Sequence, residues 1–446
     1  MASDWQRITV AEVAASSRNA LVGGPFGSNL VSKDYVPSGI PVIRGQNMGS
    51  RWVGGEFVFV TEAKAKSLEA NLARPRDLVF TQRGTLGQVA VVPSHPFEVY
   101  LISQSQMKLT VDEKKAQPLF LYYVFTSQEQ QEYIRQHSIQ TGVPHTNLGI
   151  LRETPIFVPP IEEQRAIALI LGELDDKIEL NRRLNDTLED VARALFKSWF
   201  VAFDPVRAKA EARDPGLPRR IADLFPDSFE DSESGEIPRG WQTRLLGDVC
   251  ERIFSGGTPS TTVTDYWGGE LPWLSSGETR ARFITSTEKF ITEKAVENSS
   301  TRFARAGATV VASAGQGNTR GQTSMLMLNA YINQSVVALL ADKAKTTDNY
   351  LYFDLESRYE EFRRVSDGHS SRGSLTTKLL AGLATVLPPR DVILAFDSAV
   401  DPIVQRIGAS LRETDFLSGL RNTLLPKLIS GELRIRDAER IVGKQI

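Results

Sequence analysis

The longest periodic pattern in the chain runs from Pro159 to Phe200. Ile167, Leu171, Leu174, Ile178, Asn181, Asn185, Leu188, Ala192, Leu195 and Trp199 step by four and three without a break, the a/d seam of a coiled coil. Pro160 suits a first helical turn, where its missing N–H costs nothing, and Glu162 and Glu163 suit the positive end of the helix dipole. About 40 residues rising 1.5 Å each make a rod of roughly 60 Å. A rod with one apolar seam needs a partner, and that requirement limits what the rest of the chain can be.

A self-comparison supplies the partner. Asp34-Tyr35 followed by Pro41 recurs as Asp265-Tyr266 followed by Pro272, a shift of 231 residues that also relates Thr61-Glu62 to Thr292-Glu293 and Gly84 to Gly315. Gln104-Ser105 returns as Gln334-Ser335 at 230, and Pro159-Pro160 as Pro388-Pro389 at 229. The chain reads as two copies of one unit, each a globular part followed by a helix. In the second helix Ile393, Phe396, Val400, Ile403, Ile407, Ser410, Thr414, Leu417, Arg421, Leu424 and Leu428 keep the alternation. Pro402 should kink or restart that helix, Pro426 should end or bend it, and Gly431 is a stop. Paired antiparallel, the helices would bring Asn181, Asn185, Ser410 and Thr414 into one polar layer, which lowers stability but fixes register. The alternative is a drifting seam in which Leu184 takes over from Asn185.

The globular parts alternate short strand-like runs with turns. Ile40–Ile43, Phe57–Val60, Leu78–Gln82, Val89–Val92 and Met107–Val111 read as strands in the first, with helices at Thr61–Asn71 and Leu119–Gln136. The second gives Leu271–Leu274, Thr309–Ala312, Ser324–Met327 and Ser335–Leu340, and a helix near Tyr350–Arg364. The expected fold class is α+β: two similar α/β domains separated by two long helices forming an antiparallel coiled coil, an internal tandem repeat with a pseudo-two-fold. The expected divisions are 1–158 and 241–388 for the globular domains, 159–200 and 389–433 for the helices, a proline-rich acidic linker with little regular structure at 201–240, and a C-terminal tail at 434–446 that is loose from Glu439 to Ile446.

Composition bounds the chemistry. The 446 residues are 41% hydrophobic and 24% charged with a net charge of −2, ordinary for a soluble protein and no advertisement for a polyanion. Cys250 stands alone and reads as a buried, inert thiol; His95, His137, His145 and His369 show no metal spacing. The first residues lack a charged-then-apolar leader pattern, and the densest apolar run, Ala166–Leu171, is too short to span a bilayer. The cytoplasm is the expected compartment, with no membrane partner.

Several stretches together resemble a known family. VPPIEEQRAIALILGELDDKIELNRRLNDTLEDVARALFKSWFVAFDPVRAK (158–209) is similar to the central conserved region of type I restriction–modification specificity subunits. LRNTLLPKLISGEL (420–433) is similar to their distal conserved region, and GEIPRGW (235–241) to the entry of a second target-recognition domain. RGTLGQ (83–88) and NQS (333–335) match framework elements of the recognition domains. The resemblance implies two target-recognition domains that each read half of a split site in double-stranded DNA, spaced by the paired helices. It also implies two modification (methyltransferase) subunits and, in the full complex, restriction subunits as partners. S-adenosylmethionine would then sit on the methyltransferase, with no cofactor bound by this chain.

The residues themselves support a non-catalytic reading. There is no G-x-x-x-x-G-K-S/T nucleotide loop, no G-x-S-x-G elbow, no methyltransferase Asn/Asp-Pro-Pro-aromatic motif and no F-x-G-x-G. Arg reads guanine, and Asn or Gln reads adenine, through paired hydrogen bonds. The candidate DNA-binding residues are therefore polar side chains in turn-rich loops. In the first copy these are Arg44, Gln46 and Asn47, then Arg83 and Thr85, then His145, Thr146 and Asn147. In the second they are Ser275, Ser276 and Arg280, then Gln316, Asn318 and Arg320, then His369, Ser370, Ser371, Arg372 and Ser374. Loop glycines also form turns for their own sake, and Arg83 could pair with a local carboxylate. Residues 1–160 carry 15 Lys/Arg against 13 Asp/Glu, too small an excess for tight binding alone. The charged outward faces of the first helix, Arg182, Arg183 and Glu179 among them, are a candidate docking surface or simply a solvated face. Ala194-Leu195-Phe196 with Trp199-Phe200 is broader than a two-helix seam needs and should pack on a globular domain or a partner. Two other functions stay open: a coiled-coil scaffold joining two protein-binding domains, and an enzyme with an unfamiliar site around His369-Ser370-Ser371.

Overall fold

The computed structural model describes residues 5–140, 144–232, 235–315, 317–369 and 374–443. The chain divides into two units: Met1–Ile178 with Phe416–Ile446, and Glu179–Asp415. Each contains one globular domain and a pair of long-helix segments.

In the first unit a four-stranded sheet runs Leu21–Gly23, Gln106–Leu109, Leu78–Thr81, Val89–Val91, all antiparallel. A five-stranded sheet runs Tyr35–Val36, Val58–Val60, Ile40–Ile43, Tyr100–Ile102, Leu72–Ala73, with Ile40–Ile43 and Tyr100–Ile102 parallel. Gln6–Thr9 pairs with Pro155–Val158, closing the domain at the foot of the long helix. The strands Leu78–Thr81, Val89–Val91 and Tyr100–Ile102 are short and buried throughout, so they show no alternation of apolar and polar residues. The helix expected over 119–136 is two, Pro118–Thr126 and Gln128–His137. Ser127 breaks it by turning extended and capping the second piece through its hydroxyl.

The second unit repeats this scheme, strand register included. Leu78 faces Leu109, Val79 faces Lys108 and Phe80 faces Met107 in the first domain; Thr309 faces Leu339, Val310 faces Ala338 and Val311 faces Val337 in the second. The parallel pair Val42–Leu101 returns as Trp273–Tyr331, and Thr9–Pro155 as Leu245–Ala384.

The first long helix spans Ile161–Phe196 and continues as a π-helical turn, Lys197–Val201; the second spans Arg390–Ile429. In the first unit Ile167, Leu171, Leu174 and Ile178, each at most 2% exposed, share a core with Leu417, Leu424 and Leu428. In the second unit Ala192, Phe196 and Trp199 share a core with Ile393, Phe396, Val400, Val404 and Ile407. Contacts fix the sense of pairing in each unit. Asp175 bonds Arg421 and Glu163 bonds Arg434 in the first; Asn181 bonds Ser410, and Phe196 packs on Phe396, in the second. One number rises as the other falls, so the segments run antiparallel.

Asn181, Asn185, Ser410 and Thr414 are all buried, whereas Leu184 is half-buried. Asn181 Nδ2 donates to Glu413 Oε2 at 2.9 Å, and Ser410 Oγ donates to the Asn181 carbonyl at 3.5 Å.

Four expectations are corrected. Pro402 does not interrupt the second helix, since buried Val400 and Val404 on either side hold the segment by packing. The seam does shift there, from Ile403 to Val404. The linker is not featureless: it forms helices Asp204–Ala210 and Arg219–Ala222 and a hairpin, Phe229–Ser232 with Gly235–Pro238. Phe203, Val206, Phe225 and Ile237 anchor it to Trp199, Phe200 and Trp241 in one aromatic core, which also places the broad aromatic stripe. The tail forms a helix, Ile435–Val442, whose Ala438 and Val442 enter the first unit's core.

Candidate nucleic-acid interface

Backbone hydrogen bonds bring the three candidate loops of the first domain together. Ser103 N–H donates to the Ile43 carbonyl at 3.0 Å, tying the strand before Arg44 to the 103–106 turn. Gln82 N–H donates to Ser105 at 2.7 Å, and Thr146 N–H donates to Gln82 at 3.0 Å. Arg83 and His145 consequently sit opposite each other as an isolated bridge. The second domain repeats every link: Asn333 to Leu274 at 3.1 Å, Ser313 to Ser335 at 2.9 Å, Leu375 to Ser313 at 2.9 Å. Residues 43, 82, 103, 105 and 146 thus have counterparts at 274, 313, 333, 335 and 375.

This geometry sorts the candidates. Arg83 and Thr85 are exposed on a turn whose Gly84 and Gly87 take φ of +103° and +83°, a conformation that suits glycine. Among the described residues no carboxylate pairs with Arg83. Gln46 is exposed and its amide donates to the Glu56 carbonyl at 3.2 Å. Arg44 and His145 are half-buried. Asn47 does not face outward: it is 1% exposed, accepts from Arg44 N–H at 3.0 Å and donates to the Gly54 and Glu56 carbonyls. It shapes the loop, because a buried amide with these partners has nothing left for a base. Thr146 is buried as a ladder residue. Asn147 caps the helix Leu148–Glu153 by accepting from Ile150 N–H at 2.9 Å.

In the second domain Ser275 N–H is engaged by Glu278 at 2.8 Å, and the Ser276 carbonyl accepts from Thr279. Arg280 is exposed and pairs with no carboxylate among the described residues. Asn318 is exposed, its carbonyl held by the Tyr359 hydroxyl at 3.0 Å. Arg320 is corrected: its guanidinium is largely buried and ion-paired to Asp367, so it anchors its loop to the helix Tyr359–His369. Ser374 is half-buried and occupies the place of His145. His369 ends that helix, and Gln316, Ser370, Ser371 and Arg372 lie outside the described residues.

An arginine clasps each domain to the long-helix segment of its own unit. Arg51 donates to the Gly172 carbonyl at 3.0 Å and pairs with Asp176, while Tyr123 donates to Asp175 at 2.8 Å. Burial pushes the Tyr123 hydroxyl pKa well up, with the Asp175 charge adding to it, so it remains a donor. Arg282, 231 residues on, pairs with Glu189 at 2.9 Å and with Glu356 at 3.4 Å. Burial raises the Glu189 pKa, a pull that Arg282 opposes. Asp175, Asp176 and Glu189 thus pair with domain residues, as does Arg193, which reaches Glu356 at 3.7 Å as well as Asp190, and the Arg165–Glu162 and Arg183–Glu179 pairs remain on the outward face of the first helix.

Beside Arg280 an open cleft of about 590 Å³ is lined by Asp186, Glu189, Arg282, Gln322 and Tyr359. Two of the carboxylates on its wall, Glu189 and Glu356, pair with Arg282. Among the described residues no three His, Cys, Asp or Glu side chains are grouped to hold a metal, and no helix is long and apolar enough to cross a membrane. Burial pushes the Cys250 thiol up to about 12, so it is not a nucleophile at neutral pH.

Sequence reasoning missed the 103–106 and 333–336 turns at the centre of each ladder. Their signal was present, since Gln104-Ser105 and Gln334-Ser335 were the repeated pair.

Comparison with known proteins agrees with this duplicated plan. The family model described as the type I restriction modification DNA specificity domain matches residues 3–190 and 238–391. The specificity subunit of the type I restriction enzyme HindI of Haemophilus influenzae is 25% identical, over 97% of this chain and 100% of that one. The MjaIX specificity subunit of Methanocaldococcus jannaschii is 22% identical over 94% and 92%. The solved type I restriction–modification S subunit from M. genitalium shares the fold, with a TM-score of 0.63, 17% identity and coverage of 95% and 96%.

Proposed function

Since the chain belongs to the family of type I restriction–modification DNA specificity domains, we propose that it is a non-catalytic subunit reading a two-part site in double-stranded DNA, one part per recognition domain. DNA target recognition is the role of this family, which leaves a scaffold without DNA as the disfavoured alternative. One observation carries the proposal: an identical hydrogen-bond ladder gathers the same three loops in both units, yet the side chains they present differ. Equal frames with unequal side chains are what two different half-sites require.

In this reading Arg44, Arg83 and Arg280 are the guanine readers and Gln46 and Asn318 the adenine readers. Thr85 and His145 in the first domain, and Ser276 and Ser374 in the second, hold phosphates. The small charge excess means that partner subunits supply most phosphate contacts. Those partners are two methyltransferase subunits, which bind S-adenosylmethionine, and restriction subunits in the full complex, all acting on DNA in the cytoplasm. The outward faces of the long helices are the docking surface, where Leu180 and Val191 stand 60% and 49% exposed among charged neighbours. The test is selection from random duplexes by the chain assembled with methyltransferase subunits. Two separated, unlike motifs are expected; enrichment of no motif would reject the proposal.

A further inference from the structure

Among the described residues the most exposed large apolar side chain is Phe26, at 83%. It sits on a loop, residues 24–30, whose backbone is held in place. A Cβ on Gly24 would lie 1.9 Å from the Ser103 carbonyl oxygen, and Gly27 takes φ +56°. Gly24 N–H donates to Gln106 at 2.8 Å. Gln104 donates its amide to the Gly27 and Leu30 carbonyls, the second at 2.8 Å. Gln104 lies between Ser103 and Ser105, two links of the ladder that gathers Arg44, Arg83 and His145. The loop is therefore pinned to the middle of the proposed reading surface, and it spends that rigidity on presenting one ring to solvent.

Nothing in the domain's packing uses that ring. A protein-docking surface is built from a contiguous apolar patch, and the neighbouring loops here are polar. A lone aromatic on a rigid loop among base-reading side chains suits the face or edge of a nucleobase, which gains from a single ring what a protein partner needs several residues to supply. We infer that Phe26 is a stacking side chain that inserts against a base of the half-site read by the first domain. The inference rests on the DNA-reading proposal above. The second domain lacks the device. By strand register, Leu21 opposite Leu109 and Ile253 opposite Leu339, Thr258 takes the place of Phe26. Its hydroxyl donates to Gln334, the counterpart of Gln104.

The test uses the chain assembled with its methyltransferase subunits and a duplex chosen by selection, with 2-aminopurine placed at successive positions of the first half-site. Phe26→Ala should weaken binding roughly 5- to 140-fold, the range for losing one base–aromatic stack, and should abolish a position-specific fluorescence change. Phe26→Trp should restore both. The slope of affinity against salt should not move, because no phosphate contact is lost, and Thr258→Ala should stay within about twofold of wild type. Because the side chain is exposed, the variant should fold with an unchanged melting temperature. Unchanged affinity and fluorescence in Phe26→Ala would overturn the inference while leaving DNA reading intact. Loss of complex assembly without loss of DNA affinity per assembled complex would overturn it in favour of protein docking. Failure of the wild-type complex to select any duplex would reject the DNA reading itself.

Discussion

The two recognition domains share a frame and differ in what they bury within it. In the first, Asp77, in the turn just before the strand Leu78–Thr81, and Lys108, on the strand Gln106–Leu109, lie almost fully buried with Nζ and Oδ2 3.7 Å apart. In the second, the corresponding positions hold Ala308 and Ala338, both fully buried. One copy thus carries a desolvated ion pair where the other packs two methyl groups, and backbone pairing is indifferent to the change. The ladder is made of N–H and C=O groups, which every residue here brings, so side chains can diverge around it without moving the loops. A fold that must vary its surface while keeping its loops in place gains from being held by main-chain bonds.

The largest expected effect comes from splitting the buried pair. Lys108→Met alone should destabilise the first unit by about 3–5 kcal/mol, because a buried carboxylate loses its partner. Adding Asp77→Leu should recover most of that loss or exceed wild type, moving the first domain toward the apolar solution of the second. Thermal unfolding of the single and double variants checks the order.

The clasps give the next contrast. The Arg51 side chain is 8% exposed and bonds to Asp176, a helix carbonyl and Tyr123, so Arg51→Ala should cost about 2–4 kcal/mol. The Arg282 side chain is 46% exposed, and solvent screening should hold the cost of Arg282→Ala to about 1 kcal/mol. Equal losses in denaturant unfolding would mean that burial does not set the strength of the clasp.

A smaller effect tests equivalence rather than difference. Asn147 and Thr376 cap corresponding helices, Leu148–Glu153 and Thr377–Ala381, at corresponding positions. Each replacement by Ala should cost about 1 kcal/mol, measured in the same unfolding experiment.

The pH dependence is the mildest test. Burial raises the Asp77 pKa, so its protonated form is favoured in the folded state. The associated stability is fully present below the unfolded carboxylate value of about 4 and is lost as pH rises through the raised folded value. Burial lowers the Lys108 pKa, so its contribution is present above the unfolded value of about 10.4 and is lost as pH falls through the lowered one. Asp77→Asn should flatten the acid slope of the first unit and leave that of the second unchanged.

Much of this was legible in the chain. The constant shift near 230 residues exposed the duplication, and the three–four alternation gave both helices, since each seam position is a local pattern. Strands such as Tyr100–Ile102 and Leu21–Gly23 were missed because three residues are too few to carry a periodicity. The tail and linker were underestimated because scattered Phe225, Ile237, Ala438 and Val442 matter only once a core is there to receive them. Site residues divided by a criterion that sequence cannot supply. Asn47 and Gln46 are adjacent and chemically alike, yet Asn47 is buried with both ends of its amide engaged while Gln46 is exposed and makes one hydrogen bond. Arg320 and Arg280 occupy similar loops, and only the fold places Asp367 against the first.

The most direct test is to select bound duplexes from a random library with the assembled wild-type complex, and again with Arg83→Ala and with Arg280→Ala. The account predicts two unlike motifs separated by unselected positions. Arg83→Ala should relax positions in one motif and Arg280→Ala positions in the other, each by about 1–3 kcal/mol of discrimination. A single continuous motif, or both substitutions degrading the same half, would contradict it.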